Sequence, residues 1–261
     1  MRTVHFYKYQ GTGNDFVILD NRNKTYDGLS KAEVKFMCDR RFGIGGDGLM
    51  LLNLLEGYDF EMVYYNADGG ESSMCGNGGR CLVQFAYDLG IHKTSYHFLA
   101  TDGPHDAVFD EAGWVQLKMK DVQQIGTHNG DAVLDTGSPH FVRIVSDVNH
   151  HDVFQQGKHI RNSKEYKDQG INVNFVEMED SQIRVRTYER GVENETLSCG
   201  TGVTACALVC AHNELGFNRV EVQTLGGKLA VEFEKLEDES FTDIWLCGPA
   251  TFVFKGEIDL Q

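Results

Sequence analysis

Glu71-Ser-Ser-Met-Cys75-Gly-Asn-Gly78 is a short motif around a cysteine, and it recurs later in the chain as Glu195-Thr-Leu-Ser-Cys199-Gly-Thr-Gly202. Both copies open an apolar segment that ends in Leu-Gly. A cysteine beside small residues at the start of a helix is typical of a reactive thiol, because free N–H groups and the helix dipole stabilise a thiolate. The repeat predicts two thiols that face one another across a cleft, an acid and a base on opposite faces of one carbon.

The duplication extends beyond the two cysteines. A segment that begins with Thr-Gly, Thr12-Gly-Asn14-Asp-Phe-Val-Ile, matches Thr136-Gly-Ser138-Pro-His140-Phe-Val in the second half of the chain. A strand-like segment that ends in tyrosine and a polar residue, Phe60–Asn66, matches Ile183–Glu189. Because these repeats precede each cysteine in the same order, they indicate two similar lobes made by duplication.

Most of the chain has the β-branched, aromatic and often alternating pattern of strands. The segments after the two cysteines, Gly79–Leu89 and Val203–Leu215, are instead apolar on nearly all sides, which predicts buried helices. A further helix is predicted at Lys31–Asp39. The predicted strands are Phe16–Asp20, Phe60–Tyr65, Trp114–Lys118, His140–Val145, Val173–Glu177, Ile183–Tyr188, Val220–Thr224, Lys228–Phe233, Phe241–Leu246 and Thr251–Phe254.

A buried helix in a mostly β lobe must be enclosed by its strands. We therefore expect an α+β fold of two pseudo-symmetric lobes, each a curled, mostly antiparallel, barrel-like sheet wrapped around a central buried helix. The active site would lie in the cleft between the lobes. The N-terminal lobe is expected at about residues 1–120, with a returning C-terminal strand at about 250–261, and the C-terminal lobe at about 121–249.

Composition narrows the class of protein. A length of 261 residues suits one large domain or two smaller ones. The formal net charge of −15 argues against nucleic-acid binding, which requires a basic surface. No apolar run has the length of a membrane span and the N-terminus lacks a signal peptide's apolar stretch, so we expect a cytoplasmic protein without a membrane partner. Seven cysteines, an odd number, fit a reducing compartment better than a disulfide framework.

Other roles for cysteine and glycine remain to be weighed. A zinc site would need Cys-x-x-Cys or paired histidines at ligand spacing, and neither occurs, so no metal is expected. The segment Gly43–Gly48 has the spacing G-x-G-x-x-G but follows a basic helical stretch instead of a strand, so it is interpreted as a loop that binds no dinucleotide. The remaining cysteines are interpreted as buried small hydrophobic residues: Cys38, Cys81, Cys206, Cys210 and Cys247.

Several segments together resemble the diaminopimelate epimerase family. The resemblance implies the two-lobed fold and a conversion of LL-2,6-diaminopimelate to meso-diaminopimelate, in lysine and peptidoglycan-precursor biosynthesis. It implies a pyridoxal-phosphate-independent isomerase with no cofactor, whose partner is a small dicarboxylic diamino acid; a homodimer is left open. The matching segments, in the family's order, are Gly11–Phe16, Asn66–Arg80, Gly137–His140, Asn172–Phe175, Glu189–Gly191, Glu195–Gly202 and Gly248–Val253.

The resemblance also implies roles by position. Cys199 would remove the α-proton of the LL isomer and Cys75 would return a proton to the opposite face, with the roles exchanged in the reverse reaction. His140 and Glu189 match positions that tune the two thiols. The implied substrate-binding residues are Asn14, Asn66, Gly76, Asn77, Ser138, Asn172, Glu189, Arg190, Gly200 and Thr201; of these, Gly76-Asn77 and Gly200-Thr201 would hold the reacting carboxylate.

Three departures from the family's pattern concern the distal end of the substrate or its loop. Gly48 stands where many members carry a substrate-contacting side chain, often Gln. Ser138 replaces the Asn commonly found before Pro-His, and the spacing from Glu189 to Cys199 is one residue longer than usual. The reaction type is therefore better supported than the identity of the substrate.

Two alternatives remain. One is another two-cysteine amino-acid racemase of the same superfamily, similar to proline racemase. Those enzymes usually carry His after the first Cys-Gly, where this chain has Asn77, and a smaller substrate would not need a distal binding set. The other is a non-catalytic ligand-binding protein of the same fold. Such a protein would be expected to have lost a thiol, and both are present.

Overall fold

Each cysteine motif lies at the start of a helix that forms the centre of its own unit of the fold. The computed structural model describes residues 2–211 and 215–260. The first unit is Met1–Leu117 together with Pro249–Gln261, and the second is Lys118–Gly248. The second unit is thus inserted before the last segment of the first.

The first unit is a curled mixed sheet with two helices. Its elements are β1 (Arg2–Gly11), β2 (Asn14–Asp20), α1 (Lys31–Cys38), β3 (Gly48–Asn53), β4 (Phe60–Asn66), β5 (Glu71–Ser72), α2 (Gly76–Asp88), β6 (Ser95–Ala100), β7 (Gly103–Phe109), β8 (Val115–Lys118) and, at the end of the chain, β18 (Thr251–Leu260). The strands pair in the order β18-β1-β2-β3-β4-β6-β7-β8, and β5 adds to β4. Only β2–β3 and β4–β6 are parallel among these pairings.

The second unit has the same composition of elements. They are β9 (Gly126–His128), β10 (Asp131–Asp135), β11 (Pro139–Ile144), α3 (Val153–Arg161), β12 (Asn172–Met178), β13 (Ile183–Glu189), β14 (Asn194–Thr196), α4 (Gly200–Val209), β15 (Gly216–Thr224), β16 (Gly227–Lys235) and β17 (Phe241–Gly248). The strands pair in the order β9-β10-β11-β12-β13-β15-β16-β17, and β14 adds to β13. Here β11–β12 and β13–β15 are the parallel pairs.

The two units repeat one topology. The series β1-β2-α1-β3-β4-β5-α2-β6-β7-β8 corresponds element by element to β10-β11-α3-β12-β13-β14-α4-β15-β16-β17, and the parallel pairs fall at the same places. The central helix α2 packs against β1 to β4 and β18, and α4 packs against β10 to β13 and β15 to β17. The predicted fold class, curled sheets around buried helices, is confirmed.

Glycines at the start of each central helix allow the close packing. A Cβ placed on Gly78 would lie 3.2 Å from Met50 Sδ, and one on Gly202 would lie 2.4 Å from Asn174 Oδ1. Glycine weakens a helix, but only glycine leaves space for these contacts. None of the described helices has the length and apolar character of a membrane span.

The predicted elements and the observed ones differ in several respects. Every predicted strand coincides with an observed strand, but the pattern did not predict β1, β3, β5, β6, β7, β9, β10 or β14. The helices α2 and α4 begin at Gly76 and Gly200, before their predicted starts, so each cysteine is the residue directly before its helix. The helix predicted at Val203–Leu215 ends at Val209, and residues 212–214 of that prediction lie outside the described residues.

Helix α3 was also not predicted. It contains Gly157, a poor helix former, and only Val153 and Gly157 are buried, while Phe154 and Ile160 pack partly against the core. A Cβ on Gly157 would lie 2.3 Å from Cβ of Tyr188 on β13. The glycine therefore lets the helix pack directly on the sheet, and this tertiary contact outweighs the weak local propensity.

Candidate active site

The first half-site is built around Cys75, the N-cap residue of α2. Its backbone is extended, with φ −102° and ψ 130°, and its carbonyl accepts the N–H of Gly79 at 2.7 Å. The thiol does not cap the helix. It is directed to Asn14, with Cys75 Sγ 3.5 Å from Asn14 Oδ1. The position of the thiol is thus determined by the start of α2 and by Asn14, the first residue of β2.

The carboxamide of Asn14 has a defined orientation. Its Nδ2 donates to Asp47 Oδ2 at 2.5 Å, and its Oδ1 accepts from Asn77 Nδ2 at 3.3 Å. An ionised carboxylate can only accept hydrogen bonds, so the nitrogen of Asn14 must face Asp47. The oxygen of Asn14 is therefore the atom that faces the thiol of Cys75.

An ionic cluster holds Asp47 in place. Arg40 donates to both Asp15 Oδ1 at 2.5 Å and Asp47 Oδ1 at 2.7 Å, and Lys8 forms an ion pair with Asp15 at 2.7 Å. Burial alone would raise the pKa of Asp15, but the hydrogen bonds from Arg40 and Lys8 outweigh it and hold the pKa below its usual range. Asp15 stays ionised, and the cluster keeps its geometry at neutral pH.

A buried arginine lies beneath the first turn of α2. Arg80 is fully buried, and its Nη2 donates to Asn77 Oδ1 at 3.0 Å and to Thr12 Oγ1 at 3.3 Å. Because Asn77 Oδ1 faces Arg80, its Nδ2 is available to Asn14. The positive charge of Arg80 adds to the helix dipole and favours an anion at this helix N-terminus.

The second half-site repeats this arrangement around Cys199, the N-cap residue of α4. The Cys199 carbonyl accepts the N–H of Val203 at 2.8 Å, and Cys199 Sγ lies 3.6 Å from Thr201 Oγ1. Thr136 Oγ1 donates to the Thr201 carbonyl at 2.9 Å. Thr136 thus ties the Thr-Gly turn to the first turn of α4, as Thr12 does for α2 in the first unit.

His140 is a buried member of the second half-site. Its side chain is fully buried on β11, and burial lowers its pKa from 6.5 to about 3. Asn174 on the neighbouring strand β12 contacts it, with Asn174 Nδ2 3.1 Å from His140 Nδ1. The imidazole is therefore neutral at physiological pH.

Three of the predicted substrate-binding residues meet in one hydrogen-bonded group. Asn172 Nδ2 donates to Ser138 Oγ at 3.0 Å, and Arg190 Nη2 donates to the same oxygen at 3.1 Å. Asn172 Oδ1 in turn accepts the backbone N–H of Arg190 at 2.9 Å. Ser138, which replaces the more common Asn, thus bridges the asparagine and the arginine.

The other predicted residues have different surroundings. Glu189 Oε2 accepts from Thr196 Oγ1 at 3.0 Å across the β13–β14 hairpin. Gly76 and Gly200 are the first residues of α2 and α4. Asn66 is exposed at the end of β4, where its backbone N–H and carbonyl bond to Gly70 and Gly69 and close a turn. The described hydrogen bonds do not connect Asn66 to the group around Cys75.

Sequence reasoning missed several residues that support the two half-sites. Thr12 and Thr136 belong to the repeated Thr-Gly turns, and their repetition was the available signal. Arg80 was part of the segment that resembles the family, and its signal is a charge on an otherwise apolar helix. Asn174 lies in Asn172–Phe175, a segment that resembles the family, but it was not singled out there. Asp47 and Thr187 carried no signal, because their contacts come from strands and loops far apart in the sequence.

Gly48 is explained by its neighbours in the first unit. A Cβ on Gly48 would lie 2.4 Å from Tyr64 Cε2, 2.8 Å from the Tyr64 hydroxyl and 2.6 Å from the Tyr65 carbonyl oxygen. The phenol of Tyr64 therefore occupies the space into which a side chain at residue 48 would extend. The departure from Gln at this position is coupled to a bulky residue on the adjacent strand β4.

The five cysteines outside the repeated motif are buried, and none is part of a disulfide among the described residues. Burial raises the pKa of Cys38, Cys81 and Cys210 to about 12 and that of Cys206 well above its ordinary value. Such thiols are poor nucleophiles and poor bases at neutral pH. Within residues 2–211 and 215–260, no group of three or more His, Cys, Asp or Glu side chains is placed to hold a metal ion.

Solved structures with the same fold support the two-unit architecture. A Bacillus anthracis phenazine biosynthesis protein of the PhzF family superposes with a TM-score of 0.77 over 100% of both chains, at 16% identity. A probable proline racemase from Agrobacterium radiobacter K84 superposes with a TM-score of 0.70 over 99% of this chain and 93% of the other, at 12% identity. At these identities the likeness concerns the fold alone.

Sequence comparison is more specific. Diaminopimelate epimerase of Flavobacterium psychrophilum is 48% identical over 98% of this chain and 100% of its own length. The diaminopimelate epimerase of Chlorobaculum tepidum is 42% identical, over 96% of this chain and 99% of its own. The family model for diaminopimelate epimerase matches residues 6–125 and 132–253, which include both cysteine motifs. By these matches over nearly its whole length, the chain belongs to the diaminopimelate epimerase family.

Proposed function

We propose that this protein interconverts LL-2,6-diaminopimelate and meso-diaminopimelate by a two-thiol mechanism without a cofactor. One observation carries the proposal: both cysteines of the repeated motif are N-cap residues of buried helices, inside a family match that spans both units. Two equivalent thiols suit a reaction that removes a proton from one face of a carbon and returns one to the other.

The proposed reaction is a pair of proton transfers. The Cys199 thiolate takes the α-proton, so that a Cα–H bond breaks and an S–H bond forms. The Cys75 thiol gives its proton to the opposite face of the same carbon, which leaves Cys75 as the thiolate. In the reverse reaction the two cysteines exchange roles. No electron leaves the substrate, so no redox partner is required.

The reacting carboxylate is proposed to bind at the two helix N-termini. Removal of the α-proton places charge on this carboxylate, and fixed donors are most effective where charge develops. The backbone N–H groups of Gly76-Asn77 and Gly200-Thr201 belong to the first turns of α2 and α4. The buried guanidinium of Arg80 strengthens the first of these anion sites.

Recognition of the distal end is assigned to the group formed by Ser138, Asn172 and Arg190. Its guanidinium and amide donors suit the distal carboxylate of a dicarboxylic diamino acid. Glu189, Asn66 and Asn14 are proposed to complete the contacts to the amino groups and the distal carboxylate. His140 and Glu189 are proposed to tune the pKa values of the two thiols.

A proline racemase-like activity is less favoured, because a small cyclic substrate would leave the group formed by Ser138, Asn172 and Arg190 unused.

The substrate and the product suit the cytoplasm, where lysine and peptidoglycan precursors are made, and cysteines outside disulfides fit a reducing compartment.

We also propose that the protein forms a homodimer. On β18, Phe252, Val253 and Phe254 are all at least 44% exposed, and β18 pairs only with β1 among the described strands. An apolar exposed edge strand is suited to pairing with a second chain. Light scattering after gel filtration would show a monomer if this is wrong.

The test of function is proton NMR in D₂O with reduced enzyme, LL-diaminopimelate and no added cofactor. The expected result is loss of the α-proton signal together with formation of the meso isomer. Cys75→Ala and Cys199→Ala should each abolish epimerisation, whereas Cys210→Ala, a control thiol at the end of α4, should retain it. Exchange with proline but none with diaminopimelate would favour the racemase alternative, and full activity of Cys75→Ala would refute the two-thiol mechanism.

A further inference from the structure

The imidazole of His140 has different surroundings at its two nitrogens. The ring is fully buried. Its Nδ1 lies 3.1 Å from Asn174 Nδ2, whereas its Nε2 has no hydrogen-bond partner among the described residues. An unpaired buried polar atom is destabilising, and a protein that keeps one commonly uses it for binding or catalysis.

The orientation of Asn174 identifies which nitrogen of His140 carries the proton. Asn174 Nδ2 lies 2.9 Å from the carbonyl oxygen of Phe141, and Asn174 Oδ1 accepts from Thr187 Oγ1 at 2.9 Å. A carbonyl can only accept a hydrogen bond, so the atom that faces Phe141 must be the amide nitrogen. The same nitrogen faces His140 Nδ1 with its second hydrogen. Nδ1 is therefore an acceptor, and the proton of the neutral ring is on Nε2.

Asn174 also touches the helix turn that carries the thiol. A Cβ on Gly202 would lie 2.4 Å from Asn174 Oδ1 and 3.4 Å from Cβ of Cys199. The carboxamide therefore packs between His140 and the first turn of α4. Two charged groups also act on His140: Asp135, which raises its pKa, and Arg190, which lowers it, while burial is the largest effect.

We propose that Asn174 is a positioning residue that holds His140 as the neutral Nε2–H tautomer, so that His140 serves the Cys199 half-site as a hydrogen-bond donor and not as a base. The inference rests on the proposed function, in which His140 is one of the two residues that tune the thiols. His140 Nε2 has no hydrogen-bond partner among the described residues, so its N–H group is available to a thiolate that forms in the candidate site. When that thiolate accepts the α-proton of the substrate, the new S–H bond neutralises it, and His140 keeps its own proton throughout.

The chemistry that follows differs from an ion pair of thiolate and imidazolium. An imidazolium would need a second proton on Nδ1, and Nδ1 faces an N–H donor. The low pKa of His140 agrees with this, because the ring stays neutral at physiological pH. The carbonyl of Phe141, which can only accept, prevents the carboxamide from turning over, and Thr187 donates to Asn174 Oδ1 in the orientation that results.

The tautomer can be measured directly on the whole protein. Histidine labelled with ¹⁵N gives two-bond ¹⁵N–¹H correlations whose pattern distinguishes the Nε2–H, Nδ1–H and doubly protonated rings. The His140 signal is the one that a His140→Gln variant lacks. At neutral pH and without substrate, we expect the Nε2–H pattern. An Nδ1–H or doubly protonated ring in the unmodified protein would overturn the proposal.

Substitution of Asn174 tests its role. In Asn174→Asp, a carboxylate replaces the amide donor, so we expect a proton on Nδ1 and a fall of at least tenfold in the rate of α-proton exchange from LL-diaminopimelate. The control Asn149→Asp adds the same charge at an exposed position of the second unit and should change neither property. If the tautomer of His140 changes but the rate of α-proton exchange does not, the tautomer has no role in the reaction and that part of the proposal is refuted. Because the tautomer is read without substrate, failure of the proposed reaction itself would be recognised separately.

Discussion

The side-chain nitrogen of Asn14 lies 2.5 Å from the carboxylate of Asp47, and this contact places the oxygen of Asn14 towards Cys75. If the carboxamide turned over, its NH₂ group would face both the thiol and the NH₂ group of Asn77. Asp47 therefore acts on the thiol from a distance, through one intermediate side chain. Arg40, which bonds to Asp47 at 2.7 Å, supports the same orientation.

Asp47→Ala should lower kcat about tenfold, which corresponds to about 1.4 kcal/mol in the activation free energy. The side chain is 43% exposed, so its removal should change the melting temperature little. Steady-state kinetics in both directions, together with thermal melting, will check this. Glu111→Ala removes an exposed carboxylate elsewhere in the first unit and is the control. Unchanged kcat in Asp47→Ala would mean that the carboxamide of Asn14 keeps its orientation without Asp47.

Gly202→Ala should reduce both stability and activity. Its methyl group would lie 2.4 Å from Asn174 Oδ1, a distance that real Cβ atoms do not tolerate. Forced packing of this kind costs roughly 2 kcal/mol. In the double variant with Asn174→Ala the two losses of stability should be less than additive, because the clash is gone, while activity stays low. Additive losses in urea unfolding would indicate that the two residues do not press on one another.

The repeated topology could be predicted from the sequence because its signals are local. The motifs around Cys75 and Cys199 and the two Thr-Gly turns recur at corresponding places, and glycine turns and apolar helices are determined by nearby residues. The helices α2 and α4 begin before their predicted starts, and tertiary contacts explain the difference. Glycines at positions such as 78 and 202 disfavour a helix locally and are selected by contacts with distant strands.

The supporting residues of the candidate site were harder to predict. Asp47 and Asn14 are on different elements, and Asn174 reaches His140 from a neighbouring parallel strand. The local pattern of Asp47 is that of an ordinary loop residue. Asn174 lies in a segment that resembles the family, but nothing within that segment marks it as the partner of His140. Motifs identified the residues expected to touch the substrate, whereas the residues that orient them required the sheet register.

Gly48→Gln introduces the side chain common in the family, and it should destabilise the protein by more than about 2 kcal/mol. Overpacking typically costs roughly 1–3 kcal/mol, and here the cost should lie in the upper part of that range because one of the two contacts is with backbone. The new Cβ would meet the ring of Tyr64 at 2.4 Å and the carbonyl oxygen of Tyr65 at 2.6 Å. Adding Tyr64→Ala should restore only part of the lost stability, because the ring is removed but the backbone oxygen remains. Urea unfolding of both variants will test this, and full recovery in the double variant would mean that the strands can separate.

His140 should make the stability of the protein depend on pH. Burial lowers its pKa from 6.5 to about 3, so between these values the unfolded chain binds a proton that the folded chain does not. The unfolded state is then favoured as the pH falls, and the free energy of unfolding should decrease by up to about 1.4 kcal/mol per pH unit from this residue. His140→Gln lacks this contribution. Its free energy of unfolding should therefore fall less steeply from pH 6.5 downwards than that of the unmodified protein, as measured by urea titrations at several pH values. Parallel curves for the two proteins would show that His140 is protonated in the folded state as readily as in the unfolded chain.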